Sequence, residues 1–209
     1  MKRVLAFFGA FNPPTRAHLE LADCARRAAG REGVLFVPSQ SAYIRNDQGK
    51  DFAFSDEERL DMLHSLARTR PWMEVTDIEM GMASQPRTYT TLCALRGAGW
   101  EPALLIGSDK LAELERAWLH VPEIAREFGI VCMARGQDAC EAMIRESPFL
   151  TAISDRIQIV RTPDEYRAVS STAVRAELRQ LRQSVCRLRA MVPEELLPGL
   201  LRTTGIHDH

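Results

Sequence analysis

The sequence has almost no net charge, no long hydrophobic run and no leader-like start, and each shortage excludes a class of function. The formal net charge is −1 over 209 residues, so no general basic field suggests DNA or RNA as a partner. No apolar run is long enough to cross a membrane, and Met1 leads directly into a strand-like segment without signal-peptide features. We therefore expect a protein that binds neither nucleic acid nor membranes.

Paired cysteines are also missing, because the five cysteines are scattered and no C-x-x-C spacing occurs. An odd number of cysteines with apolar neighbours is typical of reduced, buried thiols, which indicates a cytoplasmic protein. The five are Cys24, Cys93, Cys132, Cys140 and Cys186.

Lysine is scarce, because only Lys2, Lys50 and Lys110 occur and the remaining Lys or Arg positions are all arginines. The guanidinium group suits bidentate contacts with phosphate. A biased genome composition would produce the same excess of arginine, and the composition alone leaves both explanations open.

The rest of the composition is typical of a globular protein, with 45% hydrophobic and 26% charged residues. Six short apolar runs have the pattern of strands that are covered on both faces. They span residues 3–9, 33–39, 72–79, 102–108, 128–134 and 156–162. The segments with helical periodicity that alternate with them span residues 16–29, 55–67, 88–99, 137–147 and 171–190. This alternation predicts an α/β fold with a doubly wound, mainly parallel, Rossmann-like sheet.

The chain length favours a single domain over residues 1–209. We expect a C-terminal helical part at about residues 170–204 and a mobile tail at 205–209. Residues 39–54 form the longest polar stretch and are predicted to be irregular. The S-D-E-E sequence that follows has the spacing of a capping box, which predicts a helix start there.

The first predicted strand ends in an unusual polar segment, GAFNPPTRAH (9–18). Ligands of open α/β sheets bind beyond the carboxyl ends of the strands. Gly9 permits close approach of the backbone, Thr15 can cap the following helix, and His18 would lie in its first turn. The unpaired N–H groups of a helix start attract phosphate, and His18 would add a donor there. Taken alone, His18 is equally compatible with an ordinary surface histidine.

The segment VSSTAVRAEL (169–178) is a second candidate phosphate site. Ser170 and Ser171 precede a helical pattern, and Arg175 lies about one turn into it. Hydroxyl and N–H groups at such a helix start, with an arginine that returns to them, can hold phosphate. A plain N-cap is the alternative role for either serine.

Together, GAFNPPTRAH (9–18) and SSTAVR (170–175) resemble the two signatures of the nucleotidyltransferase superfamily, G-x-F-x-P-x-[HT]-x-x-H and S-S-T-x-[IVL]-R. Four further segments are similar to those of nicotinate or nicotinamide mononucleotide adenylyltransferases, so the resemblance spans nearly the whole chain. They are RTYTTLCALR (87–96), LLIGSDKLAELERAWLHVPEI (104–124), IVCMAR (130–135) and VPEELLPGLLRTTGI (192–206).

The sequence departs from the bacterial pattern of this family in two places. Thr15 and Asn12 stand where bacterial members usually have His and Asp, and both residues match eukaryotic members. After the second strand, the usual P-H-K is replaced by YIR (43–45), in which Arg45 keeps the charge and the histidine is absent.

The resemblance implies transfer of AMP from ATP to nicotinic acid mononucleotide, a step of NAD biosynthesis that releases pyrophosphate. The acceptor phosphate is already a good nucleophile, so the chemistry asks for positioning and charge neutralisation rather than a general base. His18 and Thr15 would hold the α-phosphate, and Arg175 would take the leaving phosphates. Mg²⁺ would enter on the triphosphate of ATP, without a cage of protein carboxylates.

The resemblance also implies the remaining contacts. The ATP-binding residues would be Gly9, Ala10, Phe11, Arg45, Gly107, Asp109, Arg135, Ser170, Ser171 and Thr172, with Lys50 as a further candidate. The acceptor-binding residues would be Asn12, Thr88, Tyr89, Thr90 and Trp118. An N-cap role is the alternative for Asp109, and core packing is the alternative for Trp118. Because N–H groups at a helix start favour a carboxylate, the segment at Tyr89 predicts a preference for the acid form of the acceptor.

Two other functions remain compatible with the sequence. The chain could adenylylate another phosphate acceptor, such as phosphopantetheine, although TYTTL (88–92) and AWLHVPEI (117–124) fit that group of enzymes less well. It could also be a nucleotide-binding paralogue without turnover, which the YIR segment and Thr15 suggest. The oligomeric state stays open.

Overall fold

The computed structural model describes residues 1–46, 54–136, 138–180 and 185–203, and it describes only the backbone at 45, 46 and 203. Lys50 and the predicted tail at 205–209 lie outside this part of the chain. The strands of the described part are β1 (Lys2–Gly9), β2 (Gly33–Pro38), β3 (Met73–Val75), β4 (Trp100–Gly107), β5 (Ile130–Arg135) and β6 (Ile157–Thr162). They form one sheet in the order β3-β2-β1-β4-β5-β6, and every neighbouring pair is parallel. The predicted doubly wound α/β fold is confirmed.

Helices cover both faces of the sheet. Those of the described residues are α1 (Arg16–Ala28), α2 (Ser41–Asn46), α3 (Asp56–Ala67), α4 (Thr88–Gly97), α5 (Ser108–Leu111), α6 (Leu114–Ala117), α7 (Val121–Glu127), α8 (Cys140–Glu146), α9 (Pro148–Ala152), α10 (Ser171–Arg179), α11 (Val185–Met191) and α12 (Leu197–Thr203). Thr15 and Ser55 start α1 and α3 as N-caps, and each forms a capping box with the residue three positions later. In the described ranges, no helix has the length and apolar character needed to cross a membrane.

Alternate residues of the central strand pack into separate cores on the two faces of the sheet. Leu5 faces one core, to which α1 contributes Leu19. Val4 and Ala6 face the other core, to which α4 contributes Leu92. All five side chains are buried. Burial on both faces explains why the strands appear in the sequence as continuous apolar runs rather than as alternating ones.

The carboxyl ends of β1 and β4 meet at the centre of the sheet, where the strand order changes direction. Because β1 pairs with β2 on one side and with β4 on the other, the connections after β1 and β4 diverge and leave a crevice. Gly9 ends β1 and Gly107 ends β4. The fold therefore places the polar segment after β1 at the position where open α/β sheets bind ligands.

Three of the sequence predictions are wrong in detail. Residues 41–46 form α2 although the stretch was predicted to be irregular, because a helix of this length shows too little periodicity to recognise. The helix predicted over 171–190 is two helices, α10 and α11. The prediction of buried thiols holds for Cys132 and Cys140 but not for Cys186, which is exposed.

Candidate active site

A cleft of about 790 Å³ opens at the carboxyl ends of the central strands. Its wall includes the ends of β1, β4 and β5 and the start of α10. This volume lies in the usual range for small-molecule sites. Most residues predicted from the sequence contribute to the wall. They are Gly9, Ala10, Phe11, His18, Thr88, Gly107, Asp109, Trp118, Arg135, Ser170, Ser171, Thr172 and Arg175.

His18 is oriented by the cap of its own helix. Thr15 donates its backbone N–H to Nδ1 of His18 over 3.0 Å, and the Thr15 hydroxyl lies 2.9 Å from the same nitrogen. A backbone amide can only donate, so Nδ1 is an acceptor and the proton of the neutral imidazole belongs on Nε2. His18 is therefore arranged to act as an N–H donor through Nε2 while its ring lines the cleft.

Two predicted contact residues, Thr15 and Asn12, are fully buried and do not line the cleft. The Thr15 hydroxyl also accepts the backbone N–H of His18 over 3.4 Å, so a phosphate contact would require this cap to open. The Asn12 side chain accepts the backbone N–H of Phe54 over 3.0 Å. In the structure, Thr15 orients His18, and Asn12 joins the loop after β1 to the start of α3, while their direct contacts with a ligand stay predictions.

The segment after β1 is packed around aromatic rings. Phe11 has a positive φ of 42°, a strained conformation for a residue other than glycine, and it is buried. Its ring stands edge-on to His18, with the two centroids 5.2 Å apart. The same ring covers Gly9, where an added Cβ atom would come within 3.1 Å of it. A side chain at position 9 would therefore disturb the ring that supports His18.

The two predicted phosphate segments, from opposite ends of the chain, meet in the structure. Arg175 donates from Nη1 to the carbonyl oxygen of Asn12 over 2.8 Å and from Nη2 to Oγ1 of Thr172 over 3.2 Å. Ser171 donates its hydroxyl to the carbonyl oxygen of Pro13 over 2.8 Å. These bonds fasten the start of α10 to the loop after β1, so both segments present their donors to one cleft.

The start of α10 carries a fixed positive charge. Ser170 is its N-cap and accepts the backbone N–H of Ala173 over 3.1 Å, so the N-cap alternative holds for Ser170. Burial lowers the pKa of Arg175, and the nearby Arg179 lowers it further. A guanidinium group nevertheless stays protonated at neutral pH. Its charge and the dipole of α10 act in the same direction on an anion in the cleft.

Asp138 joins the ends of β4 and β5, a role that was not predicted from the sequence. Its Oδ2 accepts the Ser108 hydroxyl over 2.6 Å and the backbone N–H of Arg135 over 3.0 Å, and its Oδ1 accepts from Arg167 over 3.1 Å. The Ser108 hydrogen bond is the main reason that the pKa of Asp138 lies below its usual value. An acidic residue shortly after a strand is common, so nothing in the sequence marked it as special.

Asp109 is exposed at the mouth of the cleft and does not cap α5. Gly107 is the N-cap of α5, and no side chain makes a capping hydrogen bond there, so the N-cap alternative for Asp109 is wrong. A Cβ atom at Gly107 would lie 2.6 Å from Oδ1 of Asp109 and would displace the carboxylate. Lys110 is 3.9 Å away, which leaves the carboxylate able to accept hydrogen bonds from a ligand.

The start of α4 forms another part of the wall. Arg87 is its N-cap and makes no side-chain capping hydrogen bond to the N–H groups of the first turn. Arg87 and Thr88 line the cleft together with Trp118. The Trp118 side chain also packs against the second core, which supports the core-packing alternative, and its role as a platform stays a prediction.

The side chain of Tyr89 is engaged elsewhere. Its hydroxyl donates to Glu127 over 3.0 Å, and its ring lies beside that of His120 with centroids 5.2 Å apart. The hydrogen bond to Glu127 is the main cause that raises the pKa of Tyr89 to about 12. Neither Tyr89 nor Thr90 lines the cleft, so their predicted role rests on the backbone N–H groups at the start of α4.

Arg59 is fully buried and holds the loops after β1 and β2 together. Its guanidinium group donates to the carbonyl oxygen of Ala10 over 2.7 Å, to the carbonyl oxygen of Ser39, and to Oδ1 of Asp56 over 2.7 Å. Burial lowers the pKa of Arg59, whereas the hydrogen bond to Asp56 raises it. Arg59 was not predicted, because nothing local distinguishes it from the other charged residues of α3.

Residues after β2 also reach the cleft, since Ser39 and Tyr43 line it. The side chain of Arg45 and the whole of Lys50 lie outside the described residues, so their phosphate contacts stay predictions. Within the described ranges, no three His, Cys, Asp or Glu side chains are grouped so that they could hold a metal ion.

Comparison with known proteins gives a consistent result. The family model described as Cytidylyltransferase-like matches residues 6–177. A "Probable nicotinate-nucleotide adenylyltransferase" of Trichlorobacter lovleyi is 32% identical over 198 residues, which cover 90% of this chain and 91% of the relative. A "Nicotinamide/nicotinic acid mononucleotide adenylyltransferase" of Arabidopsis thaliana is 28% identical over 75% of this chain and 72% of the relative.

Solved structures support the same fold. The nicotinic acid mononucleotide adenylyltransferase of Plasmodium falciparum complexed with APC has a TM-score of 0.74 at 14% identity, over 98% of this chain and 96% of that one. The complex of the same protein with NaAD has a TM-score of 0.74 at 16% identity. The family model covers most of the chain, and the Trichlorobacter lovleyi relative exceeds 30% identity over nearly its whole length. The chain belongs to the cytidylyltransferase-like family and, within it, to the nicotinate-nucleotide adenylyltransferases.

Proposed function

We propose that this chain transfers AMP from ATP to nicotinic acid mononucleotide, producing the dinucleotide of the NAD pathway and pyrophosphate. The observation that carries the proposal is the junction of α10 with the loop after β1, which brings Arg175 and His18 to one cleft. The same cleft reaches the start of α4 and Trp118. The activities for which the relatives are named support this choice of substrates.

The reaction is an in-line displacement at phosphorus. A phosphate oxygen of the mononucleotide attacks the α-phosphorus of ATP, the bond to the bridging oxygen of the β-phosphate breaks, and pyrophosphate leaves with the electron pair. The attacking phosphate is already an anion at neutral pH, so no general base is required. The protein contributes by positioning the two substrates and by stabilising the charge that develops on the phosphate oxygens.

His18 would donate from Nε2 to a non-bridging oxygen of the α-phosphate. This role follows from its tautomer, because Nδ1 already accepts from the backbone of Thr15. Thr15 would then act as a positioning residue, not as a phosphate ligand. Gly9, Ala10 and Phe11 would shape the wall beside the α-phosphate, where they line the cleft.

Arg175 would bind the β- and γ-phosphates that leave as pyrophosphate. A guanidinium group has five N–H donors, and the two bonds to Asn12 and Thr172 leave donors for a ligand. These two bonds also fix its orientation, which reduces the entropy lost on binding. The backbone N–H groups of Ser171 and Thr172 at the start of α10 would add further donors.

The nucleoside and the metal complete the ATP site. Asp109 would accept hydrogen bonds from ribose hydroxyls, with Gly107 and Arg135 in the adjoining wall. Nucleotidyltransferases generally use a divalent metal ion with ATP. We propose that Mg²⁺ enters as part of the substrate MgATP, since the triphosphate supplies the oxygen ligands that this ion prefers. Arg45 would approach the phosphates from the segment after β2.

The acceptor would bind between Trp118 and the start of α4. Trp118 would stack on the pyridine ring, and the N–H groups of Thr88, Tyr89 and Thr90 would receive the carboxylate of the acid form. A charged hydrogen bond is worth about 1.5–3 kcal/mol, which predicts a preference of roughly one to two decades over the amide form.

A single domain, a cytoplasmic location and the absence of nucleic-acid or membrane partners remain predictions.

Release of pyrophosphate tests the proposal. ATP and Mg²⁺ are supplied with nicotinic acid mononucleotide, with nicotinamide mononucleotide or with phosphopantetheine, and kcat/KM is measured for each on one preparation. We expect turnover with the acid mononucleotide and a smaller kcat/KM with the amide. Tight ATP binding without pyrophosphate for any acceptor would instead indicate a binding protein. Turnover with phosphopantetheine alone would reassign the acceptor.

A further inference from the structure

Glu79 is a buried carboxyl group in the wall of the cleft for which the proposed reaction has no use. It lies in the connection between β3 and α4, is 2% exposed and lines the cleft. Burial of an ionisable group without a cation is costly, so such a group is rarely a neutral feature of a fold. Its position beside the predicted acceptor site makes its contacts informative.

The Glu79 carboxyl group is bound to the first turn of α4. The hydroxyl of Thr91 donates to Oε1 over 2.8 Å, and the side-chain amide of Gln85 donates to Oε2. The side chain of Gln40 donates to the backbone oxygen of Glu79 over 2.9 Å, and the backbone of Gln40 donates to Oε1 of Gln85 over 2.9 Å. This network holds Glu79 in place relative to α4 and to the end of β2.

Glu79 has polar but uncharged partners. Burial raises its pKa, and the hydrogen bonds from Thr91 and Gln85 lower it, with burial dominant. When the carboxyl group is ionised, its charge acts on the same helix start that would receive a nicotinate carboxylate. Charge effects at a helix terminus act within the first turn, which is where Thr91 anchors Glu79.

We propose that Glu79 is a specificity-determining residue that limits the preference for acid over amide mononucleotides. This inference rests on the proposed adenylyl transfer. An ionised Glu79 partly neutralises the positive end of α4 and repels the carboxylate of the acid substrate, whereas the amide substrate carries no charge at that position. The repulsion therefore weakens binding of the acid but not of the amide, and the difference between their kcat/KM values becomes smaller.

The test compares variants that differ in charge but keep the shape of the network. Glu79→Gln removes the charge, and Glu79→Asp keeps a carboxylate at the same position. The measured quantity is the ratio of kcat/KM for the acid to kcat/KM for the amide, followed over a series of pH values because burial raises the pKa of Glu79. The KM for ATP is measured alongside, and thermal unfolding checks that each variant is folded.

We expect Glu79→Gln to raise the acid-to-amide ratio roughly threefold to tenfold, and Glu79→Asp to keep it within about twofold. The KM for ATP should be unchanged in Glu79→Gln. An unchanged or lowered ratio in a folded Glu79→Gln variant overturns the inference but leaves the proposed function standing. The same rise in Glu79→Asp would also overturn it, because that variant keeps the charge. A wild-type protein that turns over neither mononucleotide overturns both proposals.

A second variant covers the case in which Glu79→Gln does not fold. Thr88→Asp adds a carboxylate at the first residue of α4, and Thr88→Asn is its neutral control. If charge at this helix start decides the preference, Thr88→Asp lowers the acid-to-amide ratio relative to Thr88→Asn. Equal ratios in these two variants would overturn the inference.

Discussion

The backbone N–H of Thr15 donates a 3.0 Å hydrogen bond to Nδ1 of His18, so the cap of α1 also sets the tautomer of the candidate catalytic ring. Both partners belong to the capping box that starts α1. The side chain of Thr15 contributes to helix stability, whereas its backbone provides the donor for the ring. These two contributions can be separated by substitution.

Thr15→Ala should therefore lower stability more clearly than activity. Loss of an N-cap hydroxyl costs about 1 kcal/mol, which thermal unfolding would show as a lower Tm. Because the backbone N–H still reaches Nδ1, we expect kcat to fall by less than about tenfold. Thr15→Ser keeps the hydroxyl and serves as the control. A fall in kcat as large as that caused by loss of the His18 ring would mean that the Thr15 hydroxyl contacts phosphate after all.

His18→Ala should reduce kcat far more than it weakens ATP binding. The Nε2 donor matters most while charge shifts at the α-phosphate, and by analogy with oxyanion donors the loss should be roughly 10²–10³-fold. His64→Ala is the matched control, since His64 is exposed on α3. Steady-state kinetics with a separate ATP-binding titration distinguish the two effects. Turnover within a few-fold of wild type would assign His18 a structural role.

Arg175→Lys should not be a conservative change. The guanidinium fork bridges Asn12 and Thr172 and would still contact the leaving phosphates, and a lysine ammonium cannot reproduce that geometry. We expect kcat/KM for ATP to fall by more than about tenfold, which corresponds to loss of one charged hydrogen bond. Arg179→Lys, at the exposed end of α10, is the control. Wild-type kinetics for Arg175→Lys at saturating Mg²⁺ would place Arg175 outside the site.

Glu79→Gln should change the pH dependence of stability. Burial raises the pKa of Glu79 in the folded protein above its usual value. A raised folded-state pKa gives a contribution to stability that is complete below the unfolded-state pKa and is lost as the pH rises through the folded-state pKa. We therefore expect the variant to gain stability relative to wild type as the pH rises above the ordinary glutamate pKa of about 4.3.

The control for that experiment is Glu146→Gln, because Glu146 is exposed at the end of α8. Chemical unfolding at a series of pH values gives the difference in free energy of unfolding for each variant. A difference between Glu79→Gln and wild type that is constant with pH would mean that Glu79 keeps the same pKa in the folded and unfolded states.

The sheet could be predicted because its signals are local. The inner strands are short apolar runs that are largely buried, and the caps at Thr15 and Ser55 follow from short-range spacing. The meeting of the segments around His18 and Arg175 could also be expected, since parallel strands place their carboxyl ends at one edge. The order of the strands along the chain did not predict the hydrogen bond from Arg175 to the carbonyl oxygen of Asn12.

The supporting residues could not be predicted because their partners are distant in the sequence. Arg59 appears in a charged helix start, and only the fold reveals that it is buried between the loops after β1 and β2. Glu79 and Asp138 stand in polar connections, where most carboxylates are solvated. The contact between the Thr15 hydroxyl and His18 could not be predicted for a related reason: the motif indicates proximity to the phosphate site but not which side of His18 the hydroxyl occupies.

Transfer of the α-phosphate tests the central claim most directly. Wild-type protein is incubated with Mg²⁺, nicotinic acid mononucleotide and ATP labelled either at the α- or at the γ-phosphate, and the products are separated. Adenylyl transfer predicts that the α-label appears in the dinucleotide and the γ-label in pyrophosphate, in equal amounts, and that His18→Ala slows both together. If the α-label stays in ATP, or appears in free AMP rather than in a dinucleotide, this chain is not an adenylyltransferase for that acceptor.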